Sequence, residues 1–218
     1  MKKIPFGAVA PLFVANPFGI ALWMIAERLW RGMANSVMAY TLNAPDLRLG
    51  PGCRIIGGRR ISFGRGIYAH GDLWLEAVTS YGSQRFNPTI AIGDCVRFSD
   101  GVHISSITSI AIGSHVLMGS RIYISDHNHG LYKGDRQSRP EEAPSHRTLG
   151  GGGPVTIGDN VWIGDNSVIV GPASIGSGAI VGANSVVRGD IPSNSIAAGA
   201  PARVIKTFNS QTGSWDRA

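Results

Sequence analysis

The sequence predicts an all-β fold, a parallel solenoid made of a short strand and a tight corner repeated, preceded by an α-helical segment. Three observations carry this. From Ile157 to Val187 an aliphatic residue stands at every sixth position: Ile157, Ile163, Ile169, Ile175, Val181 and Val187. Four positions after each of the first five comes a small or short residue, Val161, Ser167, Ala173, Ala179 and Ser185, and a glycine follows the aliphatic at Gly158, Gly164, Gly176 and Gly182. The same period recurs upstream, at Leu49, Ile55, Ile61, Ile67 and Leu73, then at Ile92, Phe98 and Ile104, then at Ile112, Met118 and Ile124. Period six fits neither a 3.6-residue helix nor an alternating strand. It fits one side of a three-sided coil, with the aliphatic inward, the small residue near the corner and glycine relieving a corner backbone with φ > 0. Three hexads close a coil, so Ile157 should stack under Ile175 and Ile163 under Val181, in strands about 4.8 Å apart.

Composition agrees. The 218 residues suit one domain; thirty glycines and only 16% charged residues suit a corner-rich chain. The net charge of +6 leaves room for an anionic ligand or an anionic membrane surface. Nucleic acid is not indicated, since no basic run is interleaved with aromatics. Cys53 and Cys95 have neither zinc spacing nor a disulfide framework and read as buried or partly buried thiols of a reducing compartment.

Residues 1–46 form the N-terminal segment. Residues 4–26 carry no charge and follow Lys2-Lys3, the form of a secretory signal or a membrane helix, but Pro11 and Pro17 cut the run. Asn16-Pro17 reads as a helix start, with asparagine as N-cap and proline at the first helical position. Phe18, Leu22, Ile25, Leu29, Met33, Val37 and Tyr40 then share one face, with Glu27, Arg28, Arg31 and Asn35 on the other, and Asn43-Ala44-Pro45 ends the helix. Such a helix would either cap the solenoid or lie on a membrane surface. Residues 47–207 are the solenoid. Arg59 and Arg65 at usually small positions indicate irregular corners. Residues 76–89 break the register, and two extra residues separate Ile104 from Ile112. Residues 128–154 lose the repeat, with Pro140, Pro144 and the run Gly150 to Gly153, and read as a loop that shapes a site. Residues 208–218 read as a polar, frayed tail.

Two motifs connect this pattern to a known family. The block Val161-Trp162-Ile163-Gly164 and the ending Ala198-Gly199-Ala200-Pro201-Ala202-Arg203-Val204-Ile205-Lys206 resemble the hexapeptide-repeat acyltransferases, and the resemblance covers roughly residues 49–207. It implies a left-handed parallel β-helix, a handedness that the spacing does not give. It also implies acetyl-CoA as donor, a sugar hydroxyl as acceptor, a homotrimer with sites between subunits, no metal, and a cytoplasmic enzyme. The polysaccharide O-acetyltransferase branch is the nearest in pattern, which suggests a surface-polysaccharide acceptor that a lipid could carry, met at the inner membrane face by residues 4–40.

Acyl transfer needs a base for the acceptor hydroxyl. Of six histidines, His127 stands in the frame Ile122-Tyr123-Ile124-Ser125-Asp126-His127, just before the long loop, and Val155-Thr156-Ile157-Gly158-Asp159-Asn160-Val161-Trp162 follows the loop. By resemblance His127 is the base. His129 competes with it, and Asp126 either orients an imidazole or is a turn residue. The same resemblance places coenzyme contacts at Trp162, Asp165, Ala183, Arg188, Arg203 and Lys206, with Arg203 and Lys206 at the phosphates and Asp165, where serine is common, acting through its backbone. Neither cysteine suits a covalent acyl-enzyme. Alternatives are a maltose, galactoside, serine or antibiotic acetyltransferase, a γ-type carbonic anhydrase, and a non-catalytic scaffold. The carbonic anhydrase is disfavoured because His103, His115 and His127, twelve apart, do not superpose on one coil.

Overall fold

The computed structural model describes residues 10–218; Lys2-Lys3 and the start of the apolar run lie outside the described residues. From residue 48 the chain winds as a three-sided coil of parallel strands. Face A stacks Arg48–Leu49, Tyr68–Ala69, Arg97–Phe98, Leu117–Met118, Trp162–Ile163 and Ile180–Val181, with Ser195–Gly199 on top. Face B stacks Arg54–Ile56, Trp74–Ala77, His103–Ser106 and Tyr123–Ser125. Face C stacks Ile61–Phe63, Thr89–Ile92, Ser109–Ile112 and Val155–Ile157. Two longer strands, Val168–Ile175 and Val186–Ile191, run round the corner from B to C. The hexad aliphatics are in register as the period requires: Ile157 pairs with Ile175, Ile163 with Val181 and Ile169 with Val187. They fill the interior with Phe98, Met118 and Leu75, all buried.

The corner glycines serve a different purpose from the one expected. Gly158, Gly164 and Gly176 do not have positive φ; the left-handed positions come two residues later, at Asn160, Asn166 and Gly178. What requires glycine is the next coil. A Cβ on Gly158 would lie 2.5 Å from Ser177, on Gly164 2.5 Å from the Ala183 nitrogen, and on Gly176 2.4 Å from the Ser193 nitrogen. Asparagine tolerates the left-handed conformation, so the two demands fall on different residues.

Every departure from the hexad register falls at the corner between B and C. The first coil has a 3-10 turn there, Gly58–Arg60, which shifts the register by two: Phe63, Ala69 and Leu75, not the expected Ile61, Ile67 and Leu73, stand in line with Ile92, Phe98 and Ile104. The second sends out the hairpin Ser80–Tyr81/Gln84–Arg85. The third inserts Ile107-Thr108 between its two strands. The fourth sends out the long loop, which carries the pairing Asn128–His129/Leu149–Gly150 and the turn Pro144–His146.

At the N-terminal end, α1 (Ala10–Ala15) precedes α2 (Phe18–Thr41). Asn16 closes α1, donating Nδ2–H to the Leu12 carbonyl at 3.1 Å, and Pro17 rather than Asn16 holds the N-cap position of α2. The apolar stripe of α2 is turned away from the solenoid. Phe18, Leu22, Leu29, Met33, Val37 and Tyr40 are exposed, Tyr40 to 91%. The opposite side docks instead: Asn35 exchanges two hydrogen bonds with the Leu49 backbone, at 3.1 and 3.2 Å, and Met38, Ala39 and Leu42 pack on the core. The C-terminal tail is paired, not frayed. Ser214–Arg217 runs antiparallel to Ala202–Asn209, which itself pairs antiparallel with Ser195–Gly199. This hairpin covers the last parallel edge, which would otherwise present unpaired backbone groups.

Candidate active site

The two-residue insertion in the third coil builds the site. Its extra length bows the corner outward, so that backbone and side-chain donors point up at the fourth coil, where Asp126 stands. The Ser106 hydroxyl donates to Asp126 Oδ2 at 2.6 Å and the Ile107 N–H to Oδ1 at 2.9 Å. The Thr108 N–H and hydroxyl donate to Oδ2 at 2.8 and 2.7 Å. Asp126 is 1% exposed. Burial alone would push its carboxyl up, but the hydrogen bonds from His127, Ser106, Ile107 and Thr108 outweigh it and lower the pKa to about 2. The carboxylate is therefore ionised at neutral pH.

An ionised Asp126 sets the state of His127. The His127 Nδ1 lies 3.0 Å from Asp126 Oδ1, so it must carry the proton and donate. In the neutral ring the lone pair then lies on the other nitrogen, Nε2. The backbone is fixed as well: the Ser125 hydroxyl donates to the His127 carbonyl at 2.9 Å and accepts from its N–H at 3.2 Å. The returning arm of the loop crosses directly behind. A Cβ on Gly152 would lie 2.2 Å from the Asp126 carbonyl oxygen and 2.9 Å from the His127 Cα, which accounts for at least this member of the glycine run.

The loop is held by the lower hairpin, which leaves from the same corner two coils below. Gln84 donates Nε2–H to the Leu149 carbonyl at 3.1 Å and accepts from the Leu149 N–H at 2.7 Å. Tyr81 donates to the Ser145 carbonyl and packs edge-on against His129, with ring centroids 5.4 Å apart. His129 is thus an exposed residue of the loop, engaged by Tyr81 and outside the hydrogen bonds that hold Asp126. His115 stands at the C-to-A corner, with φ +59, apart from His103 on face B. Among the described residues no group of three metal-ligating side chains converges.

The coenzyme candidates fall elsewhere on the prism. Trp162, 51% exposed, lies on the outer row of face A, a row that runs through Ile180 and Ile196 to Lys206. Asp165 and Ala183 stand one above the other at the A-to-B corner. The Asp165 carboxylate accepts the Ser120 N–H at 2.6 Å, as Asp159 accepts that of Ser114 and Asp94 that of Arg65, each at 2.7 Å. It is a corner tie to the coil below. Arg203 is exposed in the C-terminal hairpin. Arg188 alone shares the B-to-C corner with His127. Within one chain, face B separates the Asp126–His127 pair from the coenzyme candidates other than Arg188. Nothing in the residue pattern marks Ser106, Thr108, Tyr81 or Gln84 directly; the eight-residue gap from Ile104 to Ile112 is the only signal for the first two.

Comparison with known proteins agrees with this architecture. Residues 154–189 match the family model described as bacterial transferase hexapeptide (six repeats). The chain is 41% identical over 167 residues to WbbJ of Escherichia coli (strain K12), named as a lipopolysaccharide biosynthesis O-acetyl transferase, covering 76% of this chain and 81% of that protein. It is 34% identical over 145 residues to the galactoside O-acetyltransferase of the same organism, covering 63% of this chain and 62% of that one. Among solved structures, a hexapeptide-repeat-containing acetyltransferase of Vibrio cholerae aligns with a TM-score of 0.50 at 27% identity, over 67% of this chain and 73% of that one. The D94N mutant of AntD, an N-acyltransferase from Bacillus cereus crystallised with dTDP and coenzyme A, aligns with a TM-score of 0.61 at 19% identity, over 78% and 85%.

Proposed function

This chain belongs to the hexapeptide-repeat transferases and is an acyltransferase, and from that premise we propose that it moves the acetyl group of acetyl-CoA to a sugar hydroxyl in a surface polysaccharide or its precursor. The observation that carries the reading is the buried Asp126–His127 pair, with Nδ1–H committed to the carboxylate and Nε2 free. The pathway assignment is supported by the likeness to WbbJ. In the proposed reaction His127 Nε2 takes the acceptor hydroxyl proton while that oxygen attacks the thioester carbonyl. The tetrahedral intermediate collapses to the sugar ester, the C–S bond breaks, and the leaving thiolate takes the proton back from the imidazolium. Transfer is direct. Burial pushes the Cys53 thiol up, away from the thiolate, whereas Cys95, expected to be at least partly buried, stands at an exposed corner.

The coil is taken as left-handed and the protein as a trimer, as the family resemblance implies. Trimerisation would bring face A and the A-to-B corner of one subunit against the B-to-C edge of the next. That arrangement unites Trp162, Ala183, Arg203 and Lys206 with His127 across an interface and leaves Asp165 its corner tie. Thiol release from acetyl-CoA against a panel of neutral and acidic saccharides tests the proposal. Turnover with an oligosaccharide supports it. Preference for a free galactoside would favour a small-molecule enzyme instead, and neither turnover nor acetyl-CoA binding would leave a scaffold.

The acceptor's location is read from α2. No helix among the described residues is long and apolar enough to cross a membrane. Yet Trp23 and Trp30 join the outward stripe, and a helix that docks by its mixed face and exposes its apolar one suits an interfacial position on an anionic bilayer. The enzyme would then work at the inner face of the membrane on a lipid-linked acceptor. It should co-sediment with vesicles containing anionic lipid, and Trp23→Glu with Trp30→Glu should abolish this while acetylation of a soluble saccharide persists. Absence of vesicle binding, with a smaller assembly in the double variant, would assign the stripe to a second copy of the chain.

A further inference from the structure

The first coil, residues 47–66, carries Arg48, Arg54, Arg59, Arg60 and Arg65 and no acidic side chain. Two of these, Arg59 and Arg65, take hexad positions that are usually small. Residues 27–66 hold seven of the twenty Lys and Arg and two of the fourteen Asp and Glu, so +5 of the net charge of +6 sits on α2, the turn after it and this one coil. All five arginines are exposed, and none is ion-paired among the described residues. Arg54 lies over the Trp74 ring at 5.8 Å. Nearby carboxylates are otherwise engaged: Glu27 is held by Arg31, and Asp94, on the coil above Arg65, accepts the Arg65 backbone N–H at 2.7 Å. Like charges gathered on one coil repel one another, so folding alone gives no reason for the cluster.

Its place in the fold narrows the partner. α2 lies across this end of the prism. Its C-terminal neighbour Leu42 meets Gly58 at the B-to-C corner, where a Cβ would lie 2.9 Å from Leu42 Cδ2, and Asn35 bonds to Leu49 on face A, the side opposite that corner. The apolar stripe of α2 points away from the coil, with Trp23 and Trp30 exposed. The arginines flank it on several sides: Arg48 on face A, Arg59 and Arg60 at the B-to-C corner and Arg65 at the C-to-A corner. Cations around an outward apolar face that bears tryptophan match an anionic bilayer, whose phosphates take guanidinium forks and whose acyl boundary takes the stripe. A nucleic acid or free phosphate would use the charge and leave the stripe in water.

We propose that Arg48, Arg59, Arg60 and Arg65 form a collar that binds the phosphates of an anionic bilayer and seats the solenoid on it end-on. The inference rests on the interfacial reading of α2 and adds to it an anion site and an orientation. Arg54–Ile56 is the first strand of face B, and Tyr123–Ser125, which leads into His127, is the fourth. Three spacings of about 4.8 Å place His127 roughly 15 Å above the collar. The sugar acetylated is then one held off the bilayer by other units, not the one on the lipid phosphate.

Co-sedimentation with vesicles tests the collar. Wild type should bind an equal mixture of phosphatidylglycerol and phosphatidylcholine more tightly than phosphatidylcholine alone, and salt should weaken the difference. An arginine at an anionic surface contributes about fivefold in binding. Arg65→Gln, apart from the two corners that the trimer brings together, should therefore weaken binding to the mixed vesicles about fivefold. Arg59→Gln, Arg60→Gln and Arg65→Gln combined should weaken it about 10²-fold, with sedimentation mass and acetylation of a soluble saccharide unchanged. If wild type binds the mixed vesicles and both variants bind as well, the collar is wrong and the interfacial reading of α2 stands. If wild type binds no vesicle, the collar and the interfacial reading fall together, and turnover of the soluble saccharide still upholds the acetyltransferase. If the triple variant forms a smaller assembly and Arg65→Gln binds as wild type does, the arginines serve the contact between subunits instead. On the mixed vesicles a lipid-linked oligosaccharide should be acetylated faster than a lipid-linked monosaccharide; equal rates would overturn the end-on seating.

Discussion

His127→Ala is expected to lower the turnover number for acetyl transfer by about 10²–10⁴, the range for loss of a positioned general base. The KM for acetyl-CoA should stay near wild type, and the melting temperature should fall less than in Asp126→Ala, since the carboxylate loses the His127 hydrogen bond and keeps those from Ser106, Ile107 and Thr108. The ring contributes chemistry rather than packing: its Nδ1–H is committed to Asp126 and its Nε2 is the basic atom left over. His129, two residues on, cannot take its place, because Tyr81 engages it and Asp126 does not reach it. His129→Ala should therefore keep most of the activity, and thiol release at saturating substrates separates the two variants. Loss with His129→Ala and retention with His127→Ala would reverse the assignment.

Asp126→Ala is expected to damage both stability and activity. It leaves the Ser106 and Thr108 hydroxyls and the Ile107 and Thr108 N–H groups facing an unfilled buried space. Stranding buried donors of a charged group costs about 3–5 kcal/mol, and the melting temperature should fall on the order of 10 °C. Asp126→Asn keeps the volume, but its amide donors oppose the Ser106 and Thr108 donors and no longer fix the His127 tautomer, so activity falls in that variant too. The acid limb carries a second signature. The folded pKa of Asp126 is depressed, from 3.8 to about 2. Its contribution is therefore fully present above about pH 4 and is lost as pH falls through 2. The shift corresponds to about 2 kcal/mol. Wild type should lose that much between pH 4 and pH 2 relative to Asp126→Asn, as followed by urea unfolding at each pH.

Much of the coil could be read from the sequence because its cause is local. An inward aliphatic at every sixth position is demanded by each turn of the wall, and the residues from Ile157 to Val187 paired as that period requires. Three breaks in period were also legible, at residues 76–89, between Ile104 and Ile112, and at 128–154; the first, between Ile55 and Phe63, was hidden because Ile61, Ile67 and Leu73 each stand two residues before the aligned position and mimic an unbroken period. Their shared corner was not, since it depends on how successive coils superpose. That superposition turns the Ile107-Thr108 insertion and the adjoining Ser106 into a carboxylate cradle and lets Gln84 reach Leu149, sixty-five residues on. The corner glycines illustrate the same limit: their constraint comes from the coil above. For α2 the apolar stripe was legible, but the side that docks depends on Asn35 meeting the Leu49 backbone, and helical periodicity cannot supply that contact. The use of the Asp165 carboxylate on the Ser120 N–H of the coil below is another contact that the residue pattern does not show.

The measurement that bears most directly on the account is the fate of a labelled acetyl group. Wild-type protein would be given acetyl-CoA carrying ¹³C at the carbonyl together with an oligosaccharide, and the products followed by NMR and intact-protein mass. An ester on a sugar hydroxyl is expected, formed in step with free coenzyme thiol, with no labelled protein at any time and no ester from His127→Ala. Label accumulating on the protein, or an ester formed equally by the His127→Ala variant, would contradict it.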